Sequence, residues 1–312
     1  MKIAYITDTH WRYMRPKCRA DKDYLQTILG EFEYVLANCK SLGIKYLLHA
    51  GDVFDKPYIS KDSTQALTVA TAITSLLKEY NITMIVSPGQ HDEFGQNSDS
   101  VDRSFLHMMV LTGLVKVSHA TPIEIKDGTE KITVVGYPFE HPEQEEALNG
   151  AKKTTGFEIG MFHATLGYAS QGYSKSIEAC DPGCDVAVFG DVHDFVCEGY
   201  EHKSGCVSFC TGAFSQLTTK DVTRVLQFGV IEIEKGALLS YTTYELPISY
   251  DDSRFDIRGI DAKESGKLKA LGAAVKRATS LQGENHSDMV KRIGKGLFGD
   301  RVINLVLDNM VE

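Results

Sequence analysis

Five short apolar runs in this chain each stop at a cluster of metal-ligand residue types, and that repetition limits the fold more than anything else in the sequence. The clearest is residues 44–50, which ends at Gly51-Asp52-Val53-Phe54-Asp55. An apolar run of this length closed by glycine is the pattern of a buried strand. Residues 2–7 stop at Asp8-Thr9-His10, and residues 82–87 at Pro88-Gly89-Gln90-His91-Asp92. Residues 158–162 stop at His163, and residues 185–189 at Gly190-Asp191-Val192-His193. In open α/β sheets ligands bind outside the carboxyl ends of the strands. A fold that suits this chain has to bring five strand ends together.

The segments between the runs support such a sheet. Residues 23–42 place Leu25, Ile28, Leu29, Phe32, Val35 and Leu36 at helical spacing, and Gly43 is a natural stop. Ser60 is an expected cap for a second helix running to Tyr80. The order β-α-β-α-β implies parallel strands with right-handed crossovers. A short helix is expected near 104–111, then strands at 131–137, 158–162, 185–189 and 206–210. Residues 225–233 and 238–246 read as a hairpin around Lys235-Gly236. After Pro247 the pattern is strand (255–260), helix (262–280) and strand (302–307). The expected division is a main domain, 1–250, and a small α/β unit, 251–312, below the size that folds readily alone.

Asp8, His10, Asp52, Gln90, His163, Asp191 and His193 are the ligand types at these strand ends. Carboxylates with imidazoles suit Mn, Fe or Zn, and the carboxylate excess leans toward harder ions. One aspartate can bridge two ions about 4 Å apart. The formal charge of −9 argues against binding nucleic acid by bulk charge, although bound cations would invert the field of an acidic cleft. The loop 11–22 follows His10 and carries Trp11, Arg12, Tyr13, Arg15, Lys17, Arg19 and Lys22. It is either a solvated surface or a contact for a phosphate backbone. His49 lies inside a strand pattern and reads as structural, and His107, His119, His141, His202 and His286 lack ligand-rich neighbours. Cys180-x-x-x-Cys184 and Cys206-x-x-x-Cys210 do not have the usual zinc spacing. Seven cysteines, an odd number, favour reduced thiols. No run of 18 apolar residues suggests a membrane span, and the first strand starts too early for a leader, so a cytoplasmic location is expected.

Taken in order, Asp8-x-His10, Gly51-Asp52-x-x-Asp55, Gly89-Gln90-His91-Asp92, His163 and Gly190-Asp191-x-His193 resemble the five motifs of the calcineurin-like metallophosphoesterases. The finer likeness is to the SbcD-type DNA-repair nucleases, including phage recombination nuclease subunits. Phe54 and Asp92 favour that branch, whereas the protein phosphatase branch usually has Arg and Glu where this chain has Lys56 and Asp92. Thr211-Gly212-Ala213-Phe214 before the hairpin is similar to the end of the nuclease domain, and 255–312 to its capping domain.

The resemblance implies an α/β fold, a two-sheet sandwich flanked by helices, with a small C-terminal α/β capping domain. It implies two divalent ions, Mn before Mg. Asp8, His10, Asp52 and His193 would hold the first ion, and Asp52, Gln90, His163 and Asp191 the second. His91 would protonate the leaving oxygen, oriented by Asp92 or a carbonyl, while an activated water attacks phosphorus in line. Gln90 and Asp191 depart from the family's Asn and His, and both departures fall on the second ion. The implied function is a DNA exonuclease or endonuclease in repair or recombination, the nuclease subunit of an SbcCD-like complex. Its partners would be DNA, an SbcC-type ATPase and a second copy in a homodimer. The competing expectations are a phosphodiesterase or phosphatase on a small or protein substrate, and a scaffold weakened at the second ion.

Overall fold

The computed structural model describes residues 1–57, 63–95, 97–150, 156–173, 175–248 and 254–255. The chain forms two compact units. The first comprises Met1–Arg15, Asp23–Ser215 and Val225–Ile248, and the second Pro16–Lys22, Gln216–Arg224 and Ser249–Glu312.

Two mixed six-stranded sheets flanked by helices make up the first unit. One contains β1 (Lys2–Ile6), β2 (Tyr46–His49), β3 (Thr83–Val86), β4 (Val115–Val117) and the hairpin β11 (Gln227–Glu234) and β12 (Ala237–Glu245), in the order β12-β11-β1-β2-β3-β4. The other contains β5 (Ile123–Asp127), β6 (Glu130–Tyr137), β7 (Phe157–His163), β8 (Val186–Gly190), β9 (Cys197–Glu201) and β10 (Val207–Cys210), in the order β5-β6-β7-β8-β10-β9. β1 to β4 are parallel, as are β6, β7, β8 and β10.

Side chains of a strand alternate between its two faces, and the core follows that alternation. Ile3 and Tyr5 face the other sheet with Leu48 and Ile85, and meet Ile159, Met161, Val186, Val188 and Phe209. Ala4 and Ile6 face the helices with Leu47 and Val86. Fully burying one such large apolar side chain contributes about 1.5–3 kcal/mol. α1 (Tyr24–Ser41) begins where the Asp23 side chain accepts from the Gln26 N–H. Its buried stripe is Tyr24, Ile28, Phe32, Val35, Leu36 and Cys39. It ends at Gly43, whose φ of 71° suits glycine. α2 (Ser63–Tyr80) and α3 (Phe105–Val110) complete this layer. α4 (Gln144–Leu148) packs in a third cluster on the other face of the second sheet. The expected cap at Ser60 lies outside the described residues, as do the elements expected after Phe255.

The structure corrects part of the loop 11–22. Trp11 is buried against Phe32, His49 and Phe54, so it is no stacking surface for bases. Arg19, in the second unit, is also buried. Its Nε and Nη2 donate to Asp21 at 2.7 and 2.9 Å, and its guanidinium lies over Phe255. An arginine held in this way is a structural ion pair, not a phosphate contact. Among the described residues no helix is long and apolar enough to cross a membrane.

Candidate metal centre

The carboxyl ends of β1, β2 and β3 meet those of β7 and β8, because parallel strands of both sheets end at the same edge. Three groups of ligand atoms converge there, each within 4.8 Å: Asp8 with His10 and His193, His10 with Asp52 and His91, and Asp8 with Asp52 and His163. Among the described residues these are the places where three such ligands come together.

Sharp turns aim the side chains. Asp8, His10, Asp52 and Asp191 have φ of 51°, 43°, 55° and 91°, in the left-handed region that side chains rarely adopt. Such residues cost about 1–3 kcal/mol each and gather at functional sites. Gly51 has φ 105°, and a Cβ there would lie 2.1 Å from His163 Nδ1. The chain therefore needs glycine at 51 to pass so close to a ligand.

His10 Nε2 lies 3.0 Å from His193 Nε2, 3.6 Å from Asp52 Oδ2 and 3.9 Å from Asp8 Oδ1. His163 Nε2 lies 3.4 Å from Asp52 Oδ2 and 3.8 Å from Asp191 Oδ1. Supporting bonds set these side chains. Thr7 Oγ1 and the Asp191 N–H donate to Asp8, and His163 Nδ1 is 2.7 Å from the Ala50 carbonyl. The Gln144 amide donates to the carbonyls of Tyr137, Pro138 and His163, which ties the end of β7 to the turn after β6.

Burial and neighbouring charges shift these groups in opposite directions. Burial pushes Asp8 above the usual carboxylate range, and the Asp52 charge adds to the push against His163 and His193. Asp52 is buried too, yet His163, His10 and His91 hold it well below that range. Burial drives His10 well below its ordinary value. Burial also opposes charge on His163, but Asp52, Asp8 and Asp191 overcome it and raise the group to about 10. Three carboxylates thus act on one buried imidazole, a concentration of negative charge that a divalent cation would neutralise. Among the described residues Gln90 Oε1 is buried with no hydrogen-bond partner, and His163 Nε2 has Asp52 and Asp191 oxygens only at 3.4 and 3.8 Å. Buried polar atoms normally have partners. An unpartnered oxygen and an imidazole beside buried carboxylates fit a divalent cation.

Gln90 and Asp191 meet directly: Gln90 Nε2 donates to Asp191 Oδ1 at 2.7 Å, and Thr165 Oγ1 donates to Asp191 Oδ2 at 2.6 Å. His91 stands beside the cluster, edge-on to His10 at 4.8 Å. Its Nδ1 lies 2.8 Å from the Asp55 carbonyl, which fixes the proton on Nδ1 and leaves Nε2 for transfer. Of the two expected orienters, the carbonyl is the one used. Asp92 instead accepts from the N–H groups of Val53, Phe54 and Gly89 and braces two loops. Sequence reasoning missed Thr165, Gln144 and the Asp55 carbonyl, since none of them belongs to a motif.

His49 is structural. The Thr9 hydroxyl donates to the Val53 carbonyl, so its oxygen accepts from His49 Nε2 at 2.9 Å. Burial lowers His49 to about 3, so the folded protein keeps it neutral while the unfolded chain protonates near 6.5. Between these values the unfolded state binds more protons, so stability falls as pH falls. Urea unfolding of EDTA-treated protein between pH 6.5 and 5 should show this fall, and His49→Gln should make it shallower. Equal slopes would contradict the assignment.

Among the described residues no group of three close ion-ligand atoms includes a cysteine; Cys184 Sγ faces Cys206 Sγ at 3.8 Å, and Cys180 donates to the Ile177 carbonyl.

The calcineurin-like phosphoesterase family profile matches residues 1–195. A hypothetical protein from Thermus thermophilus is similar in structure at 12% identity, with 79% of this chain and 99% of that one covered and a TM-score of 0.45. TT1561 of Thermus thermophilus is similar at 11% identity, with 78% and 98% covered and a TM-score of 0.47. No curated protein matches the chain. With its profile spanning more than half of the residues and its strand ends converging on one cluster of ion ligands, this chain belongs to the calcineurin-like phosphoesterase family.

Proposed function

We propose that this member of the family is a metal-dependent DNA nuclease, an exonuclease or endonuclease of the SbcD type. It acts in DNA repair or recombination in the cytoplasm, beside an SbcC-type ATPase subunit.

One observation carries the DNA reading. Asp55 holds His91 with its carbonyl and Arg12 with its carboxylate, the latter at 3.1 Å. A transferable proton and a cation are thus fixed to one residue. A diester flanked by a second phosphate uses both, because His91 serves the leaving oxygen and Arg12 the neighbouring phosphate. A small monoester uses only the first. Phe54 and Asp92, which mark the SbcD branch, have matching roles: Phe54 packs on Trp11 and Phe105, and Asp92 bonds the Phe54 N–H.

Asp8, His10, Asp52 and His193 would hold one ion, and Asp52, His163, Gln90 and Asp191 the other. Bound ions supply Lewis-acid stabilisation of the phosphoryl oxygens and a more acidic water. The protein's own part is to orient: the backbone N–H of His91 donates to Asp52 Oδ1 at 2.8 Å, so the general acid is tied to a carboxylate that would hold the ions.

Replacing Arg12, Arg15 and Lys17 together by Ala should weaken DNA binding and flatten its salt dependence, by about 0.9 in log–log slope for each phosphate that is no longer neutralised. Binding measured across a salt series tests this. An unchanged slope would return the loop to ordinary solvated surface.

A further inference from the structure

Asp191 Oδ1 is the one oxygen that faces both Gln90 Nε2, at 2.7 Å, and His163 Nε2, at 3.8 Å. Among the described residues Gln90 Oε1 is buried with no hydrogen-bond partner, whereas His163 Nε2 also lies 3.4 Å from Asp52 Oδ2. Around the second cation position, His163 Nε2 thus faces two carboxylates, and the Asp191 oxygen nearest to it already accepts the Gln90 N–H.

We propose that Gln90, Asp191 and Thr165 form a latch that sets the occupancy of this position. Without an ion, the Gln90 amide must present its nitrogen to Asp191, because its oxygen at that distance would repel the carboxylate. A cation held by both oxygens removes the repulsion, so the amide turns over when the ion binds, exchanging N–H···O for coordination by Oε1 and Asp191 Oδ1. Terminal rotation of a glutamine amide interchanges oxygen and nitrogen at nearly the same place. Each binding event then costs one charge-assisted hydrogen bond, which makes the second ion weaker and more exchangeable than the first. Thr165 stays on Oδ2 throughout and positions Asp191 for either state. The resulting oxygen-rich position takes Mn or Mg in preference to Zn. This inference rests on the two-ion reading of the site and is independent of DNA as substrate.

Two measurements on the intact protein test it. The first is Mn calorimetry of the wild type, Thr165→Val and Thr165→Ser. The expected result is two unequal affinities, the weaker one reduced about tenfold in Thr165→Val and restored in Thr165→Ser, with the tighter one unchanged. The second follows the Gln90 side-chain amide resonance, assigned by its absence in Gln90→Met, during Mg titration. It should move with the second equivalent and not with the first. An indifferent amide resonance, or a Thr165→Val variant that leaves both affinities unchanged or lowers them equally, overturns the latch. A single ion bound by the wild type at every Mn concentration overturns the two-ion reading and the latch with it.

Discussion

His91→Asn should lower phosphodiester cleavage by about two to four powers of ten, the usual scale for a positioned general acid. The geometry isolates this effect. The backbone N–H of His91, not its ring, holds Asp52 Oδ1, so the Asp52 carboxylate keeps its partner. An asparagine side chain can still donate to the Asp55 carbonyl, which His91 Nδ1 faces at 2.8 Å. What it cannot do is release a proton to a leaving oxygen. His91 also lies within reach of His10 and Asp52 as a third ligand atom. If it served as a ligand, the substitution would weaken ion binding in step with cleavage. Single-turnover rates beside Mn affinities separate the two roles: a lost rate with unchanged affinity supports the acid, and a parallel loss supports the ligand.

Gly89→Ala should be a severely damaging one-carbon change in the site. A Cβ at 89 would lie 2.2 Å from Asp52 Oδ1, 2.4 Å from the Asp52 backbone nitrogen and 2.7 Å from His163 Nε2. Relief requires moving backbone, since the Gly89 N–H is fixed by Asp92 and the Asp52 turn is already in a left-handed conformation. Overpacking a close-fitted interior costs about 1–3 kcal/mol and occasionally more, and here the displaced atoms belong to Asp52 and His163, two of the residues that would hold the ions. The expected outcome is a loss of about 3 kcal/mol in urea unfolding together with loss of the second ion. Gly30→Ala is the contrast: in the middle of α1, with nothing within 4 Å of the added carbon, it should raise stability by about 0.5–1 kcal/mol. If both variants unfold like the wild type, the close approach at Gly89 is not what shapes the site.

These two positions also show what a sequence discloses and what it withholds. The strand ends were legible because each ligand cluster terminates an apolar run, and a run buried on both faces has little else to be than a strand in a parallel sheet. α1 was legible through its stripe and Gly43, whereas its Asp23 cap emerged only from the structure. β4 has three residues, too few for a pattern, and β9 carries Glu198 and Gly199 at the margin of its sheet. Arg19 read as an exposed cation because charge alone says nothing of Asp21, the Gln216 carbonyl and Phe255 closing around it. Thr165 is a lone threonine two residues after His163, and only the fold brings it to Asp191. The Asp55 carbonyl is backbone and has no residue signature at all.

The central claim meets its most direct test in a cleavage assay of the purified wild-type protein. Linear single- and double-stranded DNA would be incubated without metal, with Mg and with Mn, beside an aryl phosphodiester under the same conditions. The account predicts no cleavage in EDTA, measurable DNA cleavage with Mg, and the fastest cleavage with Mn. DNA left intact in Mn while the aryl phosphodiester is hydrolysed briskly would contradict it.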